Sequence, residues 1–208
     1  MSVKPIARGE AIGRKSEVEA KATSRHHDAE KQAREALDQG RELGERRHEA
    51  GALEILATVA RRRGRVLESI EGYAVALELS RKINFRYGEA SILIGLAAAH
   101  RATGRPSDAV AHTELALAKM NETGMRVLEC AALTEMAAAH LALADHPAAT
   151  RDVDRALKIA REDGQRLNEA RALRVAAEIR EANGETAKAT ELTSAALAIL
   201  TDLGVPES

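Results

Sequence analysis

A short phrase recurs every 40 residues along this chain, and that interval limits what it can fold into more than any other feature. Gly44-Glu45-Arg46-Arg47-His48-Glu49-Ala50 is followed by Asn84-Phe85-Arg86-Tyr87-Gly88-Glu89-Ala90, by Gly124-Met125-Arg126-Val127-Leu128-Glu129-Cys130 and by Gly164-Gln165-Arg166-Leu167-Asn168-Glu169-Ala170. The Arg and the Glu keep their places in all four copies. Self-similarity at a period of about 20 to 50 residues marks a stack of supersecondary units, each burying its apolar face against its neighbour. The chain therefore reads as one quasi-linear array.

The residues inside the period make the units helical. Apolar residues are 45% of the chain, mostly Ala and Leu, and aromatics are 1%, namely Tyr73, Phe85 and Tyr87. Such a core suits closely packed helices and lacks the β-branched and aromatic types that strands favour. A first helix is expected from near Arg46, Arg86, Arg126 or Arg166 to near Arg63, Thr103, Ala144 or Asn183. A turn follows at Gly64, Gly104, Asp145 or Gly184, and then a second helix carrying Ala76-Leu77, Ala116-Leu117, Ala156-Leu157 or Ala196-Leu197. Full repeats thus span 45–84, 85–124, 125–164 and 165–204. Residues 25–44, with Ala29, Ala33, Ala36 and Leu37 at helical spacing over Asp28 to Leu43, match a second helix only and form a half repeat.

Residues 1–24 do not fit the period: carried back, Leu53 and Leu56 fall on Gly13 and Ser16, so a linker or poorly ordered segment is expected. The stretch Gly9 to Ser16 is a near-miss to a phosphate-binding loop, with three residues between its glycines where four are needed, an extra Arg14, and no preceding strand. It carries no nucleotide site.

The recurrent phrase has a physical reading. Its Gly or Asn ends a helix, and Arg-x-x-Glu forms an i, i+3 pair in the next first turn, where the macrodipole favours Glu. Exposed pairs of this kind contribute only about 0.2–0.5 kcal/mol each. The alternative, a ladder of four arginines reading an acidic ligand, is the weaker reading because charge rows are usually solvated faces. Stacking is set instead by Leu53, Leu56, Leu93, Leu96, Leu133, Leu173 and the second-helix leucines, all expected to be buried.

Charge and composition exclude several function classes. Lys plus Arg total 31 against 32 Asp plus Glu, so no net field draws in a polyanion, and direct nucleic-acid binding is not expected. Cys130 is the only cysteine and stands where the other repeats carry Ala, which makes it a small buried residue. No apolar run approaches membrane-spanning length and no apolar stretch follows the basic start, so no membrane association and a cytoplasmic location are expected. His100 and His140 occupy equivalent places without a third ligand spaced to them, and His48-Glu49 lacks the second His of a zinc-protease helix. With no nucleophile, base and orienting group to assemble, no enzymatic activity, cofactor or metal is expected.

The pattern of small and large residues resembles the tetratricopeptide signature. Leu93, Leu96, Ala97, Gly104, Ala109, Ala116 and Leu117 carry it, with equivalents at Leu53, Leu56, Ala57, Gly64, Ala76 and Leu77, at Leu133, Met136, Ala137, Ala149, Ala156 and Leu157, and at Leu173, Ala177, Gly184, Ala189, Ala196 and Leu197. Ser69 replaces one signature Ala, and the usual proline after the second helix is missing. The resemblance implies an all-α, right-handed α-solenoid of antiparallel helix pairs, with four full repeats plus the N-terminal half repeat. Within that family, Ala36-Leu37…Arg41-Glu42-Leu43-Gly44-Glu45-Arg46-Arg47-His48-Glu49-Ala50 and the ending Ala198 to Glu207 are similar to the C-terminal repeats of bacterial antibiotic-regulatory-protein and MalT-like transcription regulators. This implies a sensor or oligomerisation domain belonging to a longer regulator, with a free-standing adaptor or a small-molecule sensor as the alternatives.

The same resemblance places the first helices on a concave face. Gly51, Glu54, Thr58, Arg61 and Arg62, then Ser91, Ile94, Ala98 and Arg101, then Ala131, Thr134, Ala138 and Leu141, then Arg171, Arg174, Glu178 and Glu181 would point into it. Its middle is apolar and its ends charged, which suits a protein or peptide segment, or a second copy of the chain, laid in a groove. Against this stands packing alone, with Ile94, Ala98 and Ala138 merely filling space between repeats. The near-equal charge and apolar centre argue against a phosphorylated ligand, and the chaperone-tail clamp of the family lacks its Lys and Asn here.

Overall fold

In a computed structural model of the chain, residues 6–124 and 126–205 are described, with side chains from residue 24 onward except those of residues 123 and 125. Among the described residues there are nine helices and no strand: α1 (Ile6–Glu42), α2 (Arg46–Arg62), α3 (Val66–Lys82), α4 (Arg86–Ala102), α5 (Pro106–Thr123), α6 (Glu129–Ala142), α7 (His146–Glu162), α8 (Arg166–Ala182) and α9 (Thr186–Asp202). Each repeat is a hairpin: α2 with α3, α4 with α5, α6 with α7 and α8 with α9. Successive first helices also touch, α2 with α4, α4 with α6 and α6 with α8, whereas the second helices do not touch one another. The first helices are therefore the inner layer of the solenoid.

The turns follow from backbone chemistry. The residue that ends each second helix is left-handed, at Gly44, Asn84, Gly124, Gly164 and Gly204, with φ between 54° and 70°. Glycine, and less readily asparagine, accepts that conformation without a Cβ clash. Within repeats the same role falls to Gly64, Gly104 and Gly184, but in the third repeat to Ala144 (φ 59°) rather than to Asp145, where the turn was expected. Asp145 instead caps α7, its side chain accepting a hydrogen bond from the Ala148 amide at 3.0 Å.

Two boundaries differ from expectation. α1 is continuous from Ile6, so no break separates the half repeat from the segment before residue 25, and Gly9 to Ser16 lie within it with side chains outside the described residues. α6 begins at Glu129 rather than near Arg126. Its joint carries Leu128 where the others have His48, Gly88 and Asn168; Leu128 turns inward onto the core and Arg126 to Leu128 stay outside the helix.

The core runs along the inside of the hairpins. Leu93, Leu96, Leu133 and Leu173 are buried as expected, whereas Leu53 and Leu56, covered by only half a repeat, are half-buried, as are Leu117 and Leu197. Ala33 and Leu37 of α1 are buried against α2, and Ala36 is exposed. Tyr73 is the largest fully buried side chain, at 1% exposure. Its ring lies so close to Gly95 that a Cβ there would meet the ring at 2.5 Å, so α4 passes over it only because residue 95 is glycine.

Candidate ligand-binding concavity

The joints come first, because they account for the most regular residues. Glu49 is not an exposed pair member but is 7% exposed, accepting from Arg46 at 2.8 Å and from Arg41 of α1 at 3.2 Å. Glu169 reaches back to Arg161 at 3.0 Å in the same way. Glu89 faces Lys119 at 3.6 Å and Glu129 faces Arg155 at 3.5 Å, so those two glutamates reach forward to the next second helix. The repeated Glu is thus a tie between helices. The hydrogen bond from Arg46, followed by that from Arg41, outweighs burial and holds the Glu49 carboxyl below the usual range.

Fourteen of the seventeen residues expected on the concave face line one cavity of about 620 Å³. Gly51, Leu141 and Glu181 do not, and Glu181 lines a smaller cleft beside α9 with Arg174 and Glu178. Tyr73, Gly95, Leu128, Glu135, Asn168 and Val175, absent from the expected set, also face the cavity. Leu128 and Tyr73 get there because one lies in a joint and the other reaches through from a second helix. Glu135 and Val175 sit one helical turn from Ala131 and Arg171, so a wider strip of the helix would have included them.

Several of the expected polar groups are already engaged inside the protein. Ser91 of α4 donates to the Glu54 carboxylate of α2, and burial, only partly offset by that bond, raises the Glu54 pKa. The Thr58 hydroxyl pairs with the Tyr73 hydroxyl at 2.8 Å, and Thr134 donates to its own helix at the Cys130 carbonyl, also 2.8 Å. Arg101 donates through Nε to Glu135 of α6 at 2.6 Å. Burial alone would lower its pKa, but the bond to Glu135 and the charges of Glu135 and Glu178 raise it overall. Of these contacts, Ser91–Glu54 and Arg101–Glu135 join neighbouring first helices, α2 to α4 and α4 to α6. Ala98 and Ala138 are buried, at 6% and 5% exposure, and form a closely packed floor with Ile94 at its edge.

The cavity as a whole is cationic: five arginines face it against three glutamates, in a chain whose overall charge is −1. Arg61 and Arg62 end α2, and Arg171 and Arg174 stand on α8. Curvature of the array brings the first and last full repeats together, so that these four also enclose a cleft with His26, Leu167, Leu200 and Val205. Burial and then the charges of Arg62 and Arg61 lower the Arg171 pKa, and burial with Arg62 and Arg63 lowers that of His26.

The equivalent histidines solve one packing problem in two ways. His100 is buried with no hydrogen bond at Nδ1, Asp108 Oδ2 standing 4.0 Å away, lies tilted against His112 at 4.9 Å between ring centres, and has its pKa lowered mainly by burial. His140 Nδ1 meets Asp152 Oδ2 at 2.8 Å, because Asp152 occupies the place His112 has one repeat earlier. Cys130 is buried, donates to the Ala156 carbonyl at 3.3 Å, and burial pushes its thiol pKa up. Among the described residues no three of His, Cys, Asp and Glu converge as metal ligands would, and no helix is long and apolar enough to cross a membrane.

Comparison with known proteins agrees with this architecture. Residues 49–122 match the tetratricopeptide repeat family model. The fold is a tetratricopeptide-like α-solenoid. The structure is similar to that of BtubC (BKLC) from P. vanneervenii, with a TM-score of 0.66 and 20% identity over 90% of this chain and 78% of the other. It is also similar to apo RapI (TM-score 0.65, 12% identity, 88% and 80% of the two chains) and to the nearly identical TPR-like repeats of a putative Podosopora anserina kinesin light chain (0.56, 18%, 87% and 97%). No curated protein sequence matches significantly.

Proposed function

We propose that this tetratricopeptide-like solenoid is a non-catalytic scaffold that binds a protein or peptide segment in the concavity of its first helices. Repeats of this fold generally mediate protein–protein interaction. The observation that carries the reading is the single cavity to which all four first helices contribute. A groove made of parallel helix faces, apolar at Ile94 and Ala98 and charged at its ends, is suited to an amphipathic helix or extended segment. The finer part of the proposal is that the scaffold is the cytoplasmic regulatory domain of a bacterial transcription regulator. Its support is the wording of Ala36 to Ala50 and of the C-terminal end.

The test is affinity capture from the native cytoplasm with the chain and with Ile94→Asp, captured proteins being identified by mass spectrometry. Ile94 is half-buried at the cavity edge and, unlike Arg101, holds no neighbouring helix through an ion pair. A partner retained by the parent and lost from a fully helical Ile94→Asp supports the reading; a partner held equally by both moves the site off the concave face. Capture of transcription machinery or of DNA-binding segments is the outcome that the regulatory part requires.

A further inference from the structure

Subtracting every group already engaged from the concave face leaves an unbalanced set of cations. Arg63 and Arg65 sit beside Arg61 and Arg62 in sequence, yet both are paired with Glu30 of α1. Among the described residues, Arg61, Arg62 and Arg171 have no carboxylate within ion-pair distance; Arg171 has only Asn168 Oδ1 at 3.4 Å. The Nε–H of Arg61 is buried and without a hydrogen-bond partner. A buried donor without an acceptor costs free energy, and gathering like charges at one cleft costs more, although Arg62 and Arg171 are themselves exposed and their repulsion is softened by solvent. Of the carboxylates facing the same space, Glu135 holds Arg101 and Glu54 takes Ser91, and Glu178 forms no ion pair with Arg61, Arg62 or Arg171 among the described residues.

Resting on the reading of the concavity as a binding surface, we infer that the cleft where Arg61 and Arg62 face Arg171 is a site for an oxyanion carried by the ligand. Guanidinium groups present forked donors that match carboxylate and phosphate oxygens in pairs, and an anion seated there meets the unpartnered Arg61 Nε–H and offsets the repulsion between the two repeats. Because the arginines come from the first and the last full repeats, the anion bridges the two ends of the array. Leu167 and Leu200 border the cleft and give the group bearing the anion an apolar contact.

The experiment is a titration of the whole ¹⁵N-labelled chain, at physiological salt, with hexaglutamate, hexaglutamine and inorganic phosphate. The arginine Nε–H resonances are followed, and the titration is repeated on Arg61→Gln/Arg171→Gln with helicity checked by circular dichroism. The expected result is saturable movement of the Arg61 and Arg171 signals by an anionic probe and none by hexaglutamine. The helical double variant should bind about tenfold more weakly, the loss of a charge-assisted hydrogen bond. Response to hexaglutamate identifies peptide carboxylates as the source, and response to phosphate alone identifies a small oxyanion. No movement with either anion, or binding unchanged in the double variant, overturns the inference. Partner capture lost by Ile94→Asp but kept at full strength by the double-arginine variant also overturns it, while leaving the concave-face reading in place.

Discussion

Glu49 and Glu54 lie five residues apart on α2, one in a joint and one on the concave face, and their environments push them in opposite directions. Arg46 and Arg41 close on Glu49, so its charge is favoured and ties α1 to α2. Glu54 is turned into the concavity, where burial disfavours its charge and the Ser91 hydroxyl only partly answers it. The joints are electrostatically complete within the protein; the concave face is not. A repeat array has to make the same joint each time, whereas its inner surface is free to vary and to hold groups that suit a ligand better than they suit the fold.

The strongest challenge to that contrast is Gly95, a concave-face residue with a structural duty. Gly95→Val places a Cβ into the buried Tyr73 ring and should cost about 3 kcal/mol, seen as a lower denaturant midpoint, since overpacking a close-packed core displaces its neighbours. A variant as stable as the parent would mean that the ring can move aside. Next comes the joint: Glu49→Gln removes a carboxylate shared by two arginines and should cost about 1 kcal/mol at neutral pH.

The smaller effects carry the sign of the comparison. Because the folded pKa of Glu49 is depressed, the stability it supplies is present above the ordinary carboxylate pKa and fades as pH falls through the lowered value. Glu54 has a raised folded pKa, so its carboxylate costs nothing in acid, where both states are protonated, and weakens the fold as pH rises past the ordinary value. Glu54→Gln is therefore expected to match or slightly exceed the parent at pH 7, by about 0.5 kcal/mol, with the difference vanishing near pH 3. Urea titrations of both variants across that range check this; two variants shifting in the same direction would break the contrast.

Much of the architecture was legible because a repeat prints its punctuation in sequence. Gly44, Asn84, Gly124 and Gly164 mark helix ends, and the Ala-Leu pairs mark second helices. The sequence does not distinguish an exposed Arg-x-x-Glu pair from a buried tie, because the third member, Arg41 or Lys119, comes from another helix at a spacing that varies from joint to joint. Ala144 took the left-handed position because a turn of fixed length demands it even where no glycine stands there. On the concave face the strip of residues was legible from helical periodicity. Their balance was not: net charge is nearly zero over the chain, and the facing of Arg61 and Arg171 depends on curvature accumulated over three repeats. α1 as a whole is only weakly amphipathic, and the apolar period of the repeats does not carry back past residue 25, which is why its extent to Ile6 was not read from the residues.

The central claim is that Arg61, Arg62 and Arg171 of the concave face, unlike Arg101 with its tie to Glu135, are held for a ligand and contribute nothing to holding the solenoid together. The melting temperature of ligand-free Arg61→Gln/Arg171→Gln measures this directly. Relief of like-charge repulsion predicts a value equal to or above that of the parent protein. A fall of about 4 °C or more, which in a chain of this size corresponds to a loss of about 1–2 kcal/mol, would contradict it by making the arginines part of the structure's own support.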